Sequence, residues 1–204
     1  MKIKSARFHV SAPGLEECPN SMLPEFAFIG RSNVGKSSLI NLLAEKRDLA
    51  KVSDTPGKTK LINFFTMNEK WSLVDLPGYG YAAVNKGDRE QFNQAVGDYL
   101  EERENIRWVF VLIDSRLPPQ RIDLDFIRWL SGCGVPFVLV FTKADKQSAA
   151  KGLENVALFK HAMSEWTAVL PQIFITSVKT KSGRTEILSF IEKSMATPAK
   201  SDLV

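Results

Sequence analysis

The sequence predicts an α/β domain: a doubly wound, mostly parallel six-stranded sheet with one antiparallel strand and helices on both faces. Three observations lead there. Short apolar runs of strand length recur along the chain, and most are apolar on both alternating sides, as in strands buried between two layers of helix. Amphipathic stretches of helical period fill the gaps between them, and that alternation is the pattern of parallel crossovers. Two of the runs are separated only by Asn68, Glu69 and Lys70, which is hairpin spacing and requires an antiparallel pair.

The elements follow in order. "FAFI" (26–29) is the first expected strand, and "SSLINLLAE" is the helix that follows its loop. "LINFF" (61–65) and "WSLVDL" (71–76) form the hairpin. Asp88-x-x-Gln91 reads as a capping box, with Phe92, Ala95, Val96, Tyr99 and Leu100 behind it at helical spacing. "WVFVLID" (108–114) is the next strand. After Pro118-Pro119, Ile122, Phe126, Ile127 and Leu130 mark a helix that Gly132 or Gly134 ends. "FVLVF" (137–141) and "QIFIT" (172–176) are the last strands, and Ile187, Leu188, Ile191 and Met195 line the last helix. No internal repeat, low-complexity segment or linker interrupts the series. The expectation is a single domain over 1–204, with a core from about residue 22 to 195 and a flexible tail over 196–204.

The composition suits one well-packed domain: 204 residues, 44% hydrophobic. Lys+Arg 27 against Asp+Glu 23 gives +4, which permits a polyanionic partner without demanding one. Cys18 and Cys133 lack metal-type spacing and read as reduced thiols, and His9 and His161 match no metal motif. "MKIKSARFHV" has no secretory apolar segment, no apolar run approaches the ~20 residues needed to span a bilayer, and neither end carries a lipidation motif. The expected location is cytoplasmic.

Chemistry concentrates where strands end. Gly30-Arg31-Ser32-Asn33-Val34-Gly35-Lys36-Ser37 fits G-x-x-x-x-G-K-[ST] between a strand and a helix. Such a P-loop turns backbone N–H groups onto phosphate oxygens at a helix N-terminus. Lys36 is placed to bridge the β- and γ-phosphates, and Ser37 to give its hydroxyl to Mg²⁺. Asp75-Leu76-Pro77-Gly78 follows the strand "WSLV": the carboxylate is placed to hold Mg²⁺ through water, and the Gly78 N–H to sense the γ-phosphate. Thr142-Lys143-Ala144-Asp145 follows "FVLVF". A carboxylate there accepts both the N1–H and the 2-amino group of guanine, whereas adenine leaves it unpaired, a difference worth about 10⁴-fold or more. The Lys143 stem covers the base. Thr176-Ser177-Val178-Lys179 brings backbone to the guanine carbonyl. The ordered set selects GTP over ATP.

The polar segment 46–60 contains Pro56-Gly57 and reads as a mobile loop that orders on Mg²⁺ and the γ-phosphate. Thr55 and Thr59 compete as the metal ligand, and Thr59, nearer the anchoring strand, is preferred. Gly57, Lys58, Thr59, Lys60 and Leu61 then join the nucleotide-binding set, and Ser37, Thr59 and Asp75 form the metal set. From Arg31 to Lys60 there are seven basic and three acidic residues, beside Tyr79 and Tyr81, which are expected to be exposed for stacking on RNA. Composition alone favours an ordinary charged surface there.

With these residues placed, the chain resembles the EngB (YihA/YsxC) family of TRAFAC-class bacterial GTPases over about residues 3–195. The stretches "PEFAFIGRSNVGKSSLIN", "TPGKTKLINFF", "DLPGYGYA" and "TKAD" carry the likeness. It departs at Val178, where an alanine is commoner. The resemblance implies GTP and Mg²⁺ binding with Thr59 as a ligand, a role in large ribosomal subunit assembly through rRNA and ribosomal protein, and a link to cell division and septation. The alternative is a non-ribosomal GTP-dependent scaffold or regulator at the division site. A monomer is the default.

The catalytic set is Lys36, Gly78 and Asn33. Tyr79 stands where other GTPases carry a water-orienting glutamine after D-x-x-G, so intrinsic hydrolysis is expected to be slow. Asn33 has two readings: its amide oxygen holds K⁺ beside the phosphates, as in potassium-activated GTPases with "NVGKS" loops, or it serves only the loop's own conformation.

Overall fold

The computed structural model describes residues 1–50, 61–79 and 86–195. Its strands are β1 (Ala6–Ala12), β2 (Glu25–Gly30), β3 (Ile62–Met67), β4 (Trp71–Asp75), β5 (Ile106–Asp114), β6 (Phe137–Thr142) and β7 (Ile173–Ile175). Its helices are α1 (Lys36–Ala44), α2 (Lys86–Glu102), α3 (Arg121–Gly132), α4 (Ala149–Ser164) and α5 (Arg184–Ser194). The sheet has seven strands in the order β1-β3-β4-β2-β5-β6-β7. β3 pairs antiparallel with both β1 and β4, and the remaining pairs are parallel, so β3 alone runs against the other six.

The expected parallel sheet with a single reversed strand is therefore present, with one strand more than six. The addition is β1, an edge strand whose residues are largely exposed and whose register slips between Phe8 and Val10. Its ends are buried at Ala6 and Ala12, and Ile3 is buried too, so the packed core begins well before residue 22. A second omission is α4, which occupies an interval where the sequence reading placed no helix. The proposed tail 196–204 lies outside the described residues.

Why the strands are apolar on both sides is plain from the two cores. Ala27 and Ile29, Val109, Val111 and Ile113, with Leu139 and Phe141, face α2, α3 and α4. Their neighbours Phe26 and Phe28, Phe110 and Leu112, with Val138 and Val140, face α1 and α5. Phe28 stacks on Phe110 at 4.6 Å between centroids, and Phe26 meets Trp71 edge-on at 5.5 Å, so the second core is built largely from aromatic rings. With both faces covered, the polar business of the sheet is confined to its ends. The chain switches sides of β2 between β4 and β5, and a crevice at such a switch point is where an open α/β sheet binds ligands.

One end of that sheet is locked by a buried ionic cluster. Glu25, at the start of β2, is fully buried; it accepts from Tyr99 Oη at 2.7 Å and from Arg103 Nη2 at 2.6 Å. Arg103 also donates to the Pro19 carbonyl at 2.7 Å. The C-terminal end of α2 is thereby fixed to the sheet at the end remote from the phosphate loop.

Candidate functional site

The parallel register brings the polar strand ends side by side. Phe28 pairs with Asp75, Gly30 with Leu112, Asp114 with Thr142, and Phe141 with Ile175. The motifs after β2, β4, β6 and β7 thus converge on one rim, as the sequence required.

The P-loop leaves β2 at Gly30, where a Cβ would stand 2.8 Å from the Leu112 carbonyl oxygen. Its second glycine, Gly35, caps α1 with φ 104, a conformation that strains any residue with a side chain. Asn33 sits at φ 60, which asparagine tolerates better than most residues. Its carbonyl accepts from Lys143 Nζ at 2.5 Å. This contact is made by the backbone, and the Asn33 side chain itself is exposed.

Lys36 ion-pairs with the buried Asp75 carboxylate, tying the P-loop to the end of β4. The turn that follows is tight: Leu76 N–H donates to the Phe28 carbonyl at 3.0 Å, and a Cβ on Gly78 would lie 2.7 Å from the Gly30 carbonyl oxygen. Gly78 therefore rests directly on the loop, where only glycine fits.

The base motif is cross-braced. Thr142 Oγ1 donates to the Val34 carbonyl at 2.6 Å, and Lys143 crosses the loop to Asn33, with its Nζ also 2.9 Å from Asp114 Oδ2. The Ala144 N–H donates to the Thr176 carbonyl at 3.1 Å, fastening the third motif to the fourth. Ser177 Oγ donates to Asp145 Oδ1 at 2.6 Å. That bond holds the Asp145 carboxyl below its ordinary pKa, so it is a carboxylate at neutral pH. Its other oxygen, Oδ2, is buried and makes no hydrogen bond among the described residues, with Lys146 Nζ 4.0 Å away. An unsatisfied buried carboxylate oxygen costs free energy unless a donor reaches it. Guanine's N1–H and 2-amino group are donors of that kind.

Two residues that sequence reasoning missed join the site. Asp114, at the end of β5, receives Arg116 at 2.7 Å and Lys143 at 2.9 Å. Burial opposes its charge, but those bonds prevail and lower its pKa to about 2. Asp123, in the first turn of α3, is buried and accepts from Tyr79 Oη at 2.9 Å, with Arg31 Nε at 3.6 Å. The available signal was an aspartate closing an apolar strand in one case and opening a helix in the other, too common to interpret.

Tyr79 corrects an expectation. The sequence places it on the surface, ready to stack on RNA; in the structure it is 8% exposed, its ring stacked on Phe126 at 4.3 Å. Once its hydroxyl has a buried acceptor, the ring gains more from the core than from solvent. Arg31 and Lys36, two of the basic residues counted toward a surface patch, are likewise paired with Asp123 and Asp75. Leu61 is exposed at the start of β3. Thr55, Gly57, Lys58, Thr59, Lys60 and Tyr81 lie outside the described residues.

Comparison with known proteins agrees with this geometry. The family model described as "50S ribosome-binding GTPase" matches residues 25–143. A "Probable GTP-binding protein EngB" of Phocaeicola vulgatus is 53% identical over 192 residues, covering 94% of this chain and 96% of that protein. The protein of the same name from Christiangramia forsetii is 50% identical, covering 94% and 97%. Among solved structures, a probable GTP-binding protein engB superposes with TM-score 0.64 at 22% identity, covering 84% of this chain and 98% of that one. Era, solved with MgGDPNP and nucleotides of 16S ribosomal RNA, superposes with TM-score 0.67 at 20% identity, covering 84% of this chain and 56% of that one. At those identities the two structures speak for the fold.

Proposed function

The chain belongs to the EngB family of GTP-binding proteins and is a GTPase, and from that premise we propose that its hydrolysis of GTP to GDP and phosphate is a switch in assembly of the large ribosomal subunit, on which normal cell division and septation depend. The observation that carries the nucleotide assignment is Asp145, with one oxygen held by Ser177 and the other buried without a hydrogen bond among the described residues. The ribosomal reading is supported by the description of the matching family model. The protein works in the cytoplasm as a monomer, on rRNA and ribosomal protein; no helix among the described residues is long and apolar enough to cross a membrane.

The site residues take these roles. Backbone N–H groups of the loop from Gly30 to Ser37 hold the phosphates, with Lys36 on the β- and γ-oxygens. Thr142, Lys143, Ala144 and Asp145 bind the base, together with Thr176, Ser177, Val178 and Lys179. Ser37, Asp75 and Thr59 offer hydroxyl and carboxylate oxygens, a donor set that suits Mg²⁺. That ion, when bound, supplies positive charge against the phosphate oxygens. Gly78 senses the γ-phosphate through its N–H, and Gly57, Lys58, Lys60 and Leu61 join in binding the nucleotide. Tyr79 offers no amide to orient water, and its hydroxyl is already committed to Asp123. Slow intrinsic turnover follows. Asn33, through its side-chain oxygen, holds K⁺ beside the phosphates.

Two measurements test this. Asp145→Asn inverts the pattern offered to the base, so affinity should pass from GTP to xanthosine triphosphate; unchanged GTP affinity refutes the base assignment. The GTP-bound protein should co-sediment with large-subunit particles in moderate salt. Equal sedimentation of GTP and GDP forms would remove the switch.

A further inference from the structure

Three residues from separate elements meet behind the phosphate loop: Arg31 in the loop itself, Tyr79 directly after the sensing glycine, and Asp123 on α3. We propose that Asp123 is a positioning residue for the γ-phosphate sensor, holding the turn at Gly78 against the loop through the Tyr79 hydroxyl. The proposal rests on the reading that Gly78 senses the γ-phosphate.

Gly78 has no side chain, and its neighbours Pro77 and Tyr79 must set where its N–H points. On the upstream side the turn is tied to β2 by the Leu76 N–H. On the downstream side Tyr79 is held to α3, through Phe126 and Asp123. Its ring lies flat on Phe126, at 4.3 Å and 16°. Stacking of that kind fixes the plane of a ring but lets it slide. The 2.9 Å bond from its hydroxyl to Asp123 Oδ1 removes that freedom. Asp123 is in turn fixed: its side chain is 3% exposed, its backbone N–H donates to the Gln120 carbonyl at 3.0 Å, and Arg31 Nε stands 3.6 Å from the same carboxylate oxygen.

The arrangement is also selective in what it resists. A Cβ on Gly78 would stand 2.7 Å from the Gly30 carbonyl oxygen, so no side chain fits between the turn and the loop. The Tyr79–Asp123 bond ties the residue after Gly78 to α3 and so restrains any shift of the turn. An N–H that retreats by a fraction of an ångström loses a γ-phosphate oxygen while the P-loop contacts to the α- and β-phosphates stay intact. Removing the bond should therefore penalise the triphosphate and spare the diphosphate. A group that merely stabilised α3 would affect both alike.

The test is the ratio of affinities for a fluorescent non-hydrolysable GTP analogue and fluorescent GDP, each with Mg²⁺, in the full chain. Tyr79→Phe keeps the ring and removes the hydroxyl, and Asp123→Ala removes the acceptor. Each should lower affinity for the triphosphate about tenfold, the scale of one lost hydrogen bond to a charged group, and leave GDP within about twofold. Asp123→Asn keeps an oxygen for Tyr79 and should restore most of the ratio. Gly78→Ala, whose Cβ drives the turn from the loop, should also lower the ratio. An unchanged ratio in Gly78→Ala would defeat the sensor reading. A lowered ratio there with none in Tyr79→Phe or Asp123→Ala would overturn the role of Asp123 alone, as would equal loss of both nucleotides.

Discussion

Removing Arg103 should destabilise the fold without touching the nucleotide. Its partner Glu25 is fully buried at the start of β2, and in Arg103→Ala the carboxylate keeps, among the described residues, the Tyr99 hydroxyl at 2.7 Å. Deleting one member of a buried ion pair costs about 3–5 kcal/mol, because the remaining charge is left in a poorly solvating interior. Arg103 itself is 15% exposed on its side chain, so water reaches part of the gap and the low end, about 3 kcal/mol, is expected. In a chain of this size each kcal/mol moves the melting temperature by about 2–4 °C, which gives a fall of about 6–12 °C. Tyr99→Phe removes a single bond to the same carboxylate and should cost about 1.5–3 kcal/mol. The double variant should lose less than the sum, since both deletions leave the same charge uncompensated. Glu25 lies at the opposite end of a six-residue strand from Gly30, about 17 Å away, so GDP affinity measured well below the melting point should be unaffected. Chemical denaturation with a double-mutant cycle gives the energies. A cost under about 1 kcal/mol for Arg103→Ala would mean that the carboxylate rehydrates and that the cluster does not lock α2. A weakened nucleotide with unchanged stability would refute its assignment to the remote end.

The remaining expectations concern the rim. Asp114 titrates near 2 in the folded protein against about 3.9 unfolded; a depressed acid pKa adds stability above the unfolded value and loses it as pH falls through the folded one. About 2 kcal/mol should therefore disappear between about pH 4 and pH 2, and an acid titration of Asp114→Asn should lack that component. Lys36→Ala should abolish tight triphosphate binding, and Thr59→Ala should weaken Mg²⁺-dependent binding or turnover where Thr55→Ala does not; the reverse order in a Mg²⁺ titration would move the ligand to Thr55. Turnover should be faster in potassium than in sodium at equal ionic strength, and Asn33→Ala should lose the difference while still binding GTP. Equal rates in both salts, with and without large-subunit particles, would leave Asn33 with its loop conformation alone.

What the sequence determined is what neighbouring residues decide among themselves. A loop that needs glycine at Gly30 and Gly35, a lysine and a hydroxyl at fixed offsets, and a strand before it is written in consecutive letters, because its bonds are made by its own backbone. The same holds for the hairpin across Asn68 and Glu69, both at positive φ in the turn, and for strands apolar on both faces. Elements whose pattern is diluted by exposure were not legible. β1 buries little beyond its two ends and is made a strand by β3, more than fifty residues later. On α4 the buried Val156, Phe159 and Met163 share the helix with exposed Leu153 and Leu158, which blurs its period.

Partnership at a distance was the other part that tertiary structure alone decided. Tyr79 reads as a surface aromatic until α3 is laid beside it and Asp123 takes its hydroxyl. Asp114 is one more strand-end carboxylate until β6 delivers Lys143, and Glu25 is a solvent residue until α2 brings Tyr99 and Arg103 across the sheet. Whether a polar side chain is exposed or buried depends on the free energy of finding a partner after losing water. That partner is set by the order of strands in the sheet, which no short stretch of sequence contains.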